Sequence, residues 1–329
     1  SGMVEIPPPP LTPIELAAKG FPDMFIPQDN PTTKEGINLG RMLFYDPILS
    51  GDSSQACASC HSHEFAFSDN GRQFSVGIDG IAGTRNAPAL VNVGWLTSSF
   101  WDGRNSTLEE QALEPVANPI EMHEDWTDAV LKLQSSEVYT GLFNNVFGDE
   151  VITPDRVVKA IAQFERTLIS NNSKYDKFLN RELQLSEEEY AGFLLFFSED
   201  GECFHCHGTA LLTNNGFHNI GLDAEPVDIG WEAVTGNPAD RGKFKTPTLR
   251  NIEYSAPYMH DGRFETLEEV MDFYSEGVKP SSNVDPLIRT PHLGGFQFTE
   301  EQKQQLITFM KTFSDEDFMQ NEDFSDPHQ

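Results

Sequence analysis

Two strings, Cys57-Ala-Ser-Cys60-His61 and Cys203-Phe-His-Cys206-His207, contain all four cysteines of the chain. Two thiols separated by two residues, with a histidine directly after them, form the attachment pattern of a c-type haem. The sulfurs close thioethers onto the two vinyl groups of one porphyrin, and the imidazole sits beneath the iron as an axial ligand. Paired Cys-x-x-Cys strings also build zinc ribbons. A ribbon does not need a histidine after each pair, and its two knuckles usually lie much closer in sequence than these do. The reading is two covalently bound haem c groups, one held by Cys57, Cys60 and His61 and the other by Cys203, Cys206 and His207.

The chemistry open to each iron depends on its opposite face, and a repeat within the sequence bears on that. Pro88-Ala-Leu-Val-Asn92 returns as Pro247-Thr-Leu-Arg-Asn251, and Asp102-Gly-Arg104 as Asp261-Gly-Arg263. Thr107-Leu-Glu-Glu110 returns as Thr266-Leu-Glu-Glu269, and all three pairs share one offset of 159 residues. Each half therefore reads as one mono-haem cytochrome unit, and the pair as an internal duplication. The same offset sets Tyr274 against Pro115. A phenolate can ligate iron, whereas proline has no donor atom. One haem can then be six-coordinate through His207 and Tyr274, with the other left open above His61. On spacing alone a packed core tyrosine remains the alternative, and Met259, His260 and Met271 are competing donors.

The elements that must position these groups read as helices. Thr153-Pro154 opens an amphipathic helix toward Leu168, with threonine as cap and proline at the first helical position. Ser186 to Glu189 and Thr299 to Gln302 have the capping-box pattern before apolar-periodic runs. Strand patterns are few and short. Loops rich in glycine, proline and asparagine, Gly77 to Pro88 and Thr235 to Pro247, are expected to wrap the haem edges. The fold class is all-α, with two cytochrome c-like haem domains at 21–170 and 171–314. A tail with a polyproline spacer precedes them at 1–20, and an acidic tail, 315–329, is expected to be a solvated, mobile end.

Composition limits the remaining choices. The chain has 329 residues, enough for two ordinary domains, and 25 phenylalanines with which to enclose large porphyrins. No stretch approaches the ~20 apolar residues of a membrane span. A formal net charge of −30 argues against nucleic acid and anionic membrane surfaces as partners; it serves solubility and permits steering of a basic protein partner. Ser1-Gly2-Met3 reads as a cloning remnant, compatible with a removed signal peptide, and Pro7 to Pro10 as a stiff spacer or an ordinary tail, with lipid anchoring open. Covalent haem attachment points to the periplasm.

The chain resembles the bacterial di-haem cytochrome c peroxidase and MauG superfamily over nearly all its length after the N-terminal tail. The resemblance rests on Leu39-Gly-Arg-Met-Leu-Phe-Tyr-Asp46, both haem motifs, Gly83-Thr-Arg-Asn-Ala-Pro88, Phe100-Trp-Asp-Gly-Arg104 and Ala256-Pro-Tyr-Met-His-Asp-Gly-Arg263. It implies that hydrogen peroxide reacts at the N-terminal haem and that the C-terminal haem exchanges electrons with a donor protein or a protein substrate. It matches Trp101 to a relay between the haems, and places Gln111, Pro115 and Glu121 over the peroxidatic iron. It also implies a calcium ion between the haems, held by the Asn86 side chain and the backbone carbonyls of Ser255 and Pro257; hard oxygen donors suit that ion. Read without the resemblance, Glu121 is a solvated helix-end acid, Trp101 core packing and Gln111 an exposed helical residue.

The departures from the family pattern bear on subtype. Many di-haem peroxidases hold the peroxidatic iron with a removable histidine from the loop after the first haem motif; here Ile78 stands in that place. Those enzymes use methionine on the other iron, where Tyr274 stands, and tyrosine at that point resembles MauG-type enzymes. An anionic oxygen donor favours ferric and higher states, whereas a thioether favours ferrous iron. The surface tryptophan that MauG carries two residues before its second haem motif corresponds to Gly201, so MauG's own protein substrate is not implied. The expected activity is peroxide reduction with Glu121, aided by Gln111, moving a proton between the peroxide oxygens. An ordinary cytochrome c peroxidase, or a di-haem electron carrier, is the alternative.

Overall fold

The computed structural model of the chain describes residues 10–288 and 294–329. Most of the polyproline spacer, residues 7–9, lies outside the described residues, while 10–20 run along the first helical layer. There Thr12 donates its N–H and hydroxyl to Glu35, and Pro13 bridges to Thr33.

Five helices build the first core: α1 (Lys34–Tyr45), α2 (Leu108–Ala117), α3 (Trp126–Gln134), α4 (Glu137–Phe147) and α5 (Pro154–Glu165). Each starts where its sequence carries an oxygen cap: Thr33, Thr107, Asp125, Ser136 and Thr153 accept backbone N–H groups of the first turn. α5 stops at Glu165, short of Leu168, because the chain tightens there. The Thr167 hydroxyl takes the Phe164 carbonyl at 2.6 Å, and Leu168 N–H returns to Glu165. α1 and α5 cross at close range, since a Cβ on Gly40 would lie 1.9 Å from the Ala160 carbonyl oxygen. Leu39, Leu43, Phe44, Phe143 and Phe164 fill this core.

The second core uses the same device. α6 (Lys174–Leu179), α7 (Glu187–Phe196) and α8 (Phe204–His207) lead to α9 (Glu232–Thr235), α10 (Leu267–Asp272) and α11 (Glu300–Lys311). Both expected capping boxes are present, Ser186 with Glu189 and Thr299 with Gln302. Gly192 of α7 lies against α11, where a Cβ would meet the Gln305 carbonyl at 2.0 Å. Tyr175, Phe196, Phe309 and Phe313 pack edge-on around that crossing. Among the described residues the single sheet is one antiparallel pair, β1 (Phe217–His218) and β2 (Phe244–Lys245), with Phe217 opposite Lys245.

Residues paired by the 159-residue offset adopt the same local geometry. Asn92 and Asn251 both take left-handed backbone angles (φ +56° and +57°). Each accepts, on Oδ1, an N–H at 2.8 Å from the segment that ends its half, Ser170 or Asp315. Ser99 bridges Asn105, and Tyr258 bridges Phe264.

The acidic C-terminus departs from expectation. It is neither solvated throughout nor free. Asp315 is buried, and its carboxylate accepts from Ser170 and Asn172 and caps α12 (Glu316–Met319). The chain then crosses onto the first core, where Phe318 and Phe324 become buried against Phe67 and His63. Arg41 donates to the carbonyls of Glu322 and Ser325, and the Tyr45 hydroxyl to that of Phe324. Charge counting missed this because the acidic residues alternate with two phenylalanines that have a core to enter.

Candidate functional site

Both cysteine motifs open onto one continuous cavity of about 1220 Å³. That exceeds the ~300–1,000 Å³ of an ordinary small-molecule pocket, as two large prosthetic groups require. The cavity takes in Cys57, Cys60 and His61 at one end and Cys203, Cys206 and His207 at the other. Gln111, Pro115, Glu121, Trp101, Asn86, Ser255, Pro257 and Tyr274 line it as well, so these residues, far apart in sequence, face the same space.

The histidines are set up as ligands. His61 Nδ1 bonds the Phe67 carbonyl at 2.8 Å, and His207 Nδ1 the Leu212 carbonyl at 2.8 Å. With the hydrogen on Nδ1, each Nε2 keeps its lone pair for a metal, and the ring orientation is fixed from behind. Burial lowers the pKa of both, that of His207 to about 4, so the neutral imidazole that ligation needs is the resident form.

The two cysteine pairs do not come together as a zinc ribbon's would. Burial pushes Cys57 and Cys203 up to about 12, and Cys60 and Cys206 to about 11. Among the described residues no cysteine joins a cluster of three or more metal-ligating side chains. The donor set fits two thioether-linked haems, each on its own histidine.

Above His61 the groups are placed by the end of α2. Pro115 lies inside that helix and has no N–H to give the Gln111 carbonyl. The helix closes on the loop that follows, with Met122 N–H on the Pro115 carbonyl and Glu124 N–H on that of Val116. Ile78 N–H holds the Glu121 carbonyl, and Gly77 approaches so closely that a Cβ would lie 2.3 Å from the Ile120 carbonyl. Glu121 is thereby fixed at the cavity wall, its carboxylate accepting from Asn118 Nδ2 at 2.8 Å. Burial raises its pKa, against the lowering effect of that hydrogen bond.

The Ile78 side chain turns toward Gly51 rather than into the cavity. Among the described residues, the histidines on the wall besides His61 and His207 are His218 and His260. His218 is held by Asp285 at 2.6 Å, and His260 stacks on Phe244 at 3.6 Å. His63, His123 and His205 bond to the Phe318 carbonyl, Asp79 and Glu202 respectively.

Between the two ends, Trp101 Nε1 donates to the Asn86 carbonyl at 2.8 Å. Asn86 gives its Nδ2 to the carbonyls of Arg72 and Gln73, which leaves its Oδ1 as an acceptor, and Ser255 and Pro257 line the same cavity.

On the His207 side the backbone changes form before it reaches Tyr274. The helix opened by Thr266 does not run on as α-helix through Tyr274; it ends at Asp272 and continues as a π-helical turn, Phe273–Gly277. The Tyr274 phenol lines the cavity, and its hydroxyl has no hydrogen-bond partner among the described residues. Burial pushes its pKa up, so only a cation at the oxygen would hold it as phenolate. Met259, Met271 and His260 share the wall.

Sequence reasoning missed two buried ionisable residues on the cavity wall, Glu165 and Lys245. Glu165 is the last residue of α5, and Lys245 stands two residues before the repeated Pro-Thr-Leu string. Neither has a counterpart in a haem-binding pattern, so only their burial marks them.

Comparison with known proteins agrees with this geometry. Residues 34–184 match the family model described as di-haem cytochrome c peroxidase. The chain is 35% identical over 289 residues to the methylamine utilization protein MauG of Methylophilus methylotrophus, covering 87% of this chain and 84% of that one. It is 38% identical over 247 residues to the cytochrome c551 peroxidase of Nitrosomonas europaea, covering 74% and 73%. Among solved structures, a MauG-like protein associated with microbial copper homeostasis superposes with a TM-score of 0.89 at 37% identity, covering 95% of this chain and 99% of that one. The diheme peroxidase BthA of Burkholderia thailandensis shares the fold, with a TM-score of 0.78 at 23% identity over 97% and 99%.

Proposed function

The chain belongs to the di-haem cytochrome c peroxidase family, and from that premise we propose that it is a periplasmic, MauG-like peroxidase that passes oxidising equivalents from an open N-terminal haem to a C-terminal haem ligated by His207 and Tyr274. Peroxidase chemistry as such comes with the family. The two halves are inferred to be duplicated units, with domains at 21–170 and 171–314. Among the described residues, no helix is long and apolar enough to cross a membrane.

Haem iron, when bound, supplies the site at which peroxide is reduced. The chain's own residues do the rest. His61, oriented by Phe67, offers Nε2 from below. Glu121, held by Asn118, takes the proton from the inner peroxide oxygen and returns it to the outer one, so that water rather than hydroxide leaves. Gln111 orients the peroxide from the same wall, and Pro115 contributes shape but no donor. Trp101, fixed through Asn86, stands on the path between the two ends. Asn86, Ser255 and Pro257 would hold calcium and so stiffen that path.

The observation that carries the subtype is Tyr274. A phenol without a hydrogen-bond partner lines the His207 side, while Pro115 occupies the matching place on the His61 side. A phenolate ligand stabilises high oxidation states and makes the second haem a poor acceptor from a small donor cytochrome. The reading favours slow turnover with generic cytochrome c and a lasting oxidised state able to attack a side chain of a partner protein. The second reading is an ordinary peroxidase with a donor cytochrome, favoured by the 38% identity to a cytochrome c551 peroxidase. Stopped-flow mixing of the peroxide-oxidised protein with reduced cytochrome c decides between them. Slow, non-saturating donor oxidation supports the MauG-like reading, and fast saturable oxidation supports the other.

A further inference from the structure

Among the described residues four cations line the cavity, and three of them are neutralised by carboxylates. Arg85 bonds Asp102 and Asp228, Arg104 bonds Asp102 and Glu114, and Arg263 bonds Asp223 and Asp261. The fourth is Lys245. It is 8% exposed, and its ammonium donates to one backbone carbonyl, that of Ser98, at 2.8 Å. Among the described residues no carboxylate pairs with it.

A buried ammonium has three hydrogens to place and a charge to balance, and one neutral carbonyl meets neither demand. Burial alone pulls its pKa down to about 8, which shows how poorly the surroundings support the charge. Ordinary proteins avoid this arrangement unless an anion is supplied from outside the chain. The cavity on which Lys245 opens is where this family carries porphyrins, and each porphyrin brings two propionate carboxylates.

The location is specific. β2 places Lys245 at the seam of the two halves, opposite Phe217 of β1. Its backbone N–H donates to the Trp101 carbonyl at 2.8 Å, so one residue holds the tryptophan backbone and presents the unbalanced charge.

We propose that Lys245 is the counter-cation of a haem propionate at the seam beside Trp101, and that it sets the reduction potential of that haem. The assignment rests on the two-haem reading. A cation beside the propionate offsets its negative charge, so removing the cation favours the ferric form and lowers the potential. A free small carboxylate would satisfy the same chemistry, and the experiment separates the two sources.

Spectroelectrochemical titration of the mature di-haem protein and of Lys245→Gln and Lys245→Arg tests the proposal, with pyridine haemochrome counting the haems. The expected result is that Lys245→Gln lowers one midpoint potential by at least a tenfold change in its equilibrium constant, about 59 mV for one electron. Lys245→Arg should restore most of the loss, and added formate should leave the wild-type potentials in place. Unchanged potentials in a Lys245→Gln protein that retains two haems overturn the assignment alone. Fewer than two haems in the wild type overturns the two-haem reading and the assignment with it. Wild-type potentials that move with formate, in a manner lost on Lys245→Gln, assign the site to a free anion and overturn the proposal. If Lys245→Gln does not mature, a crystal structure of the wild-type holoprotein decides: Nζ within hydrogen-bond distance of a propionate oxygen supports it, and Nζ on Ser98 and water alone refutes it.

Discussion

The carbonyl of Tyr274 accepts the backbone N–H of Phe296 at 2.9 Å, and the next residue repeats the contact, Gln297 N–H to the Ser275 carbonyl at 2.9 Å. Residues 296–297 thus take over carbonyls that a continuing α-helix would have kept, and the backbone can open into the π turn that carries the phenol. The matching stretch around Pro115 is ordinary α-helix. Tyr274→Phe removes one oxygen from this arrangement and leaves the turn intact. The protein should still bind two haems, but its low-spin EPR signal should change and the lifetime of the peroxide-oxidised state should fall at least tenfold. An identical spectrum and lifetime would reduce Tyr274 to packing.

Glu121 must be a carboxylate to accept the first proton, and burial has raised its pKa. The active form is therefore lost as pH falls through a value above the ordinary glutamate pKa of ~4.3. Glu121→Gln should lower the rate of peroxide consumption by about 10²- to 10⁴-fold and abolish the acid limb. Asn118→Ala, which removes the hydrogen bond that stabilises the carboxylate, should move the limb to higher pH. A limb that stays in place in both variants assigns the proton transfer to another group.

The C-terminal segment should be part of the folded unit. Phe318 is 2% exposed, meets His63 and Phe67 edge-on and packs at a tilt on Phe324. Phe318→Ala should cost about 3–5 kcal/mol by the usual cavity argument. Because Phe67 supplies the carbonyl that orients His61, the high-spin haem signal should broaden in the same variant. Thermal melts within a degree of wild type would return the segment to the status of a loose tail.

Arg250 and Asp176 form a buried bidentate pair, with both Nη atoms 2.8 Å from the carboxylate and the Ala210 carbonyl taking further donors. Burial opposes the carboxylate, but the guanidinium and Ser173 hold its pKa below the usual value. Replacing one partner strands the other charge, so Arg250→Ala is expected to cost about 3–5 kcal/mol in a denaturant titration. A loss under 1 kcal/mol would show that water reaches the site.

Glu165 titrates in the opposite sense. Burial raises its pKa to about 8, and its Oε2 has no hydrogen-bond partner among the described residues. Between the unfolded glutamate pKa and about 8, the folded chain keeps a proton that the unfolded chain has released, so stability falls as pH rises through that window. Glu165→Gln should flatten the decline, leaving stability similar near pH 5 and higher than wild type near pH 8. Parallel pH–stability curves would mean that the carboxyl has found a partner in the mature protein.

Much of this site was legible in the linear chain because its chemistry is local. Cys57, Cys60 and His61 lie within five residues, as do Cys203, Cys206 and His207, so covalent spacing alone carries the attachment pattern. Helix starts were equally local, since Thr107, Thr153, Ser186, Thr266 and Thr299 cap through their own side chains. The 159-residue offset matched Tyr274 to Pro115 before any coordinates.

Tertiary structure decided what depends on distant partners. The π turn at Tyr274 exists because residues 296–297 take its carbonyls, and no propensity within 266–277 encodes that pairing. Residues 315–329 dock because Asp315 finds Ser170 and Asn172 and because Phe318 and Phe324 find an open core edge, although net charge pointed toward solvent. Lys245 became significant only once burial showed that, among the described residues, no acid pairs with its charge. A sequence shows which charges are present, and the fold determines which of them have partners.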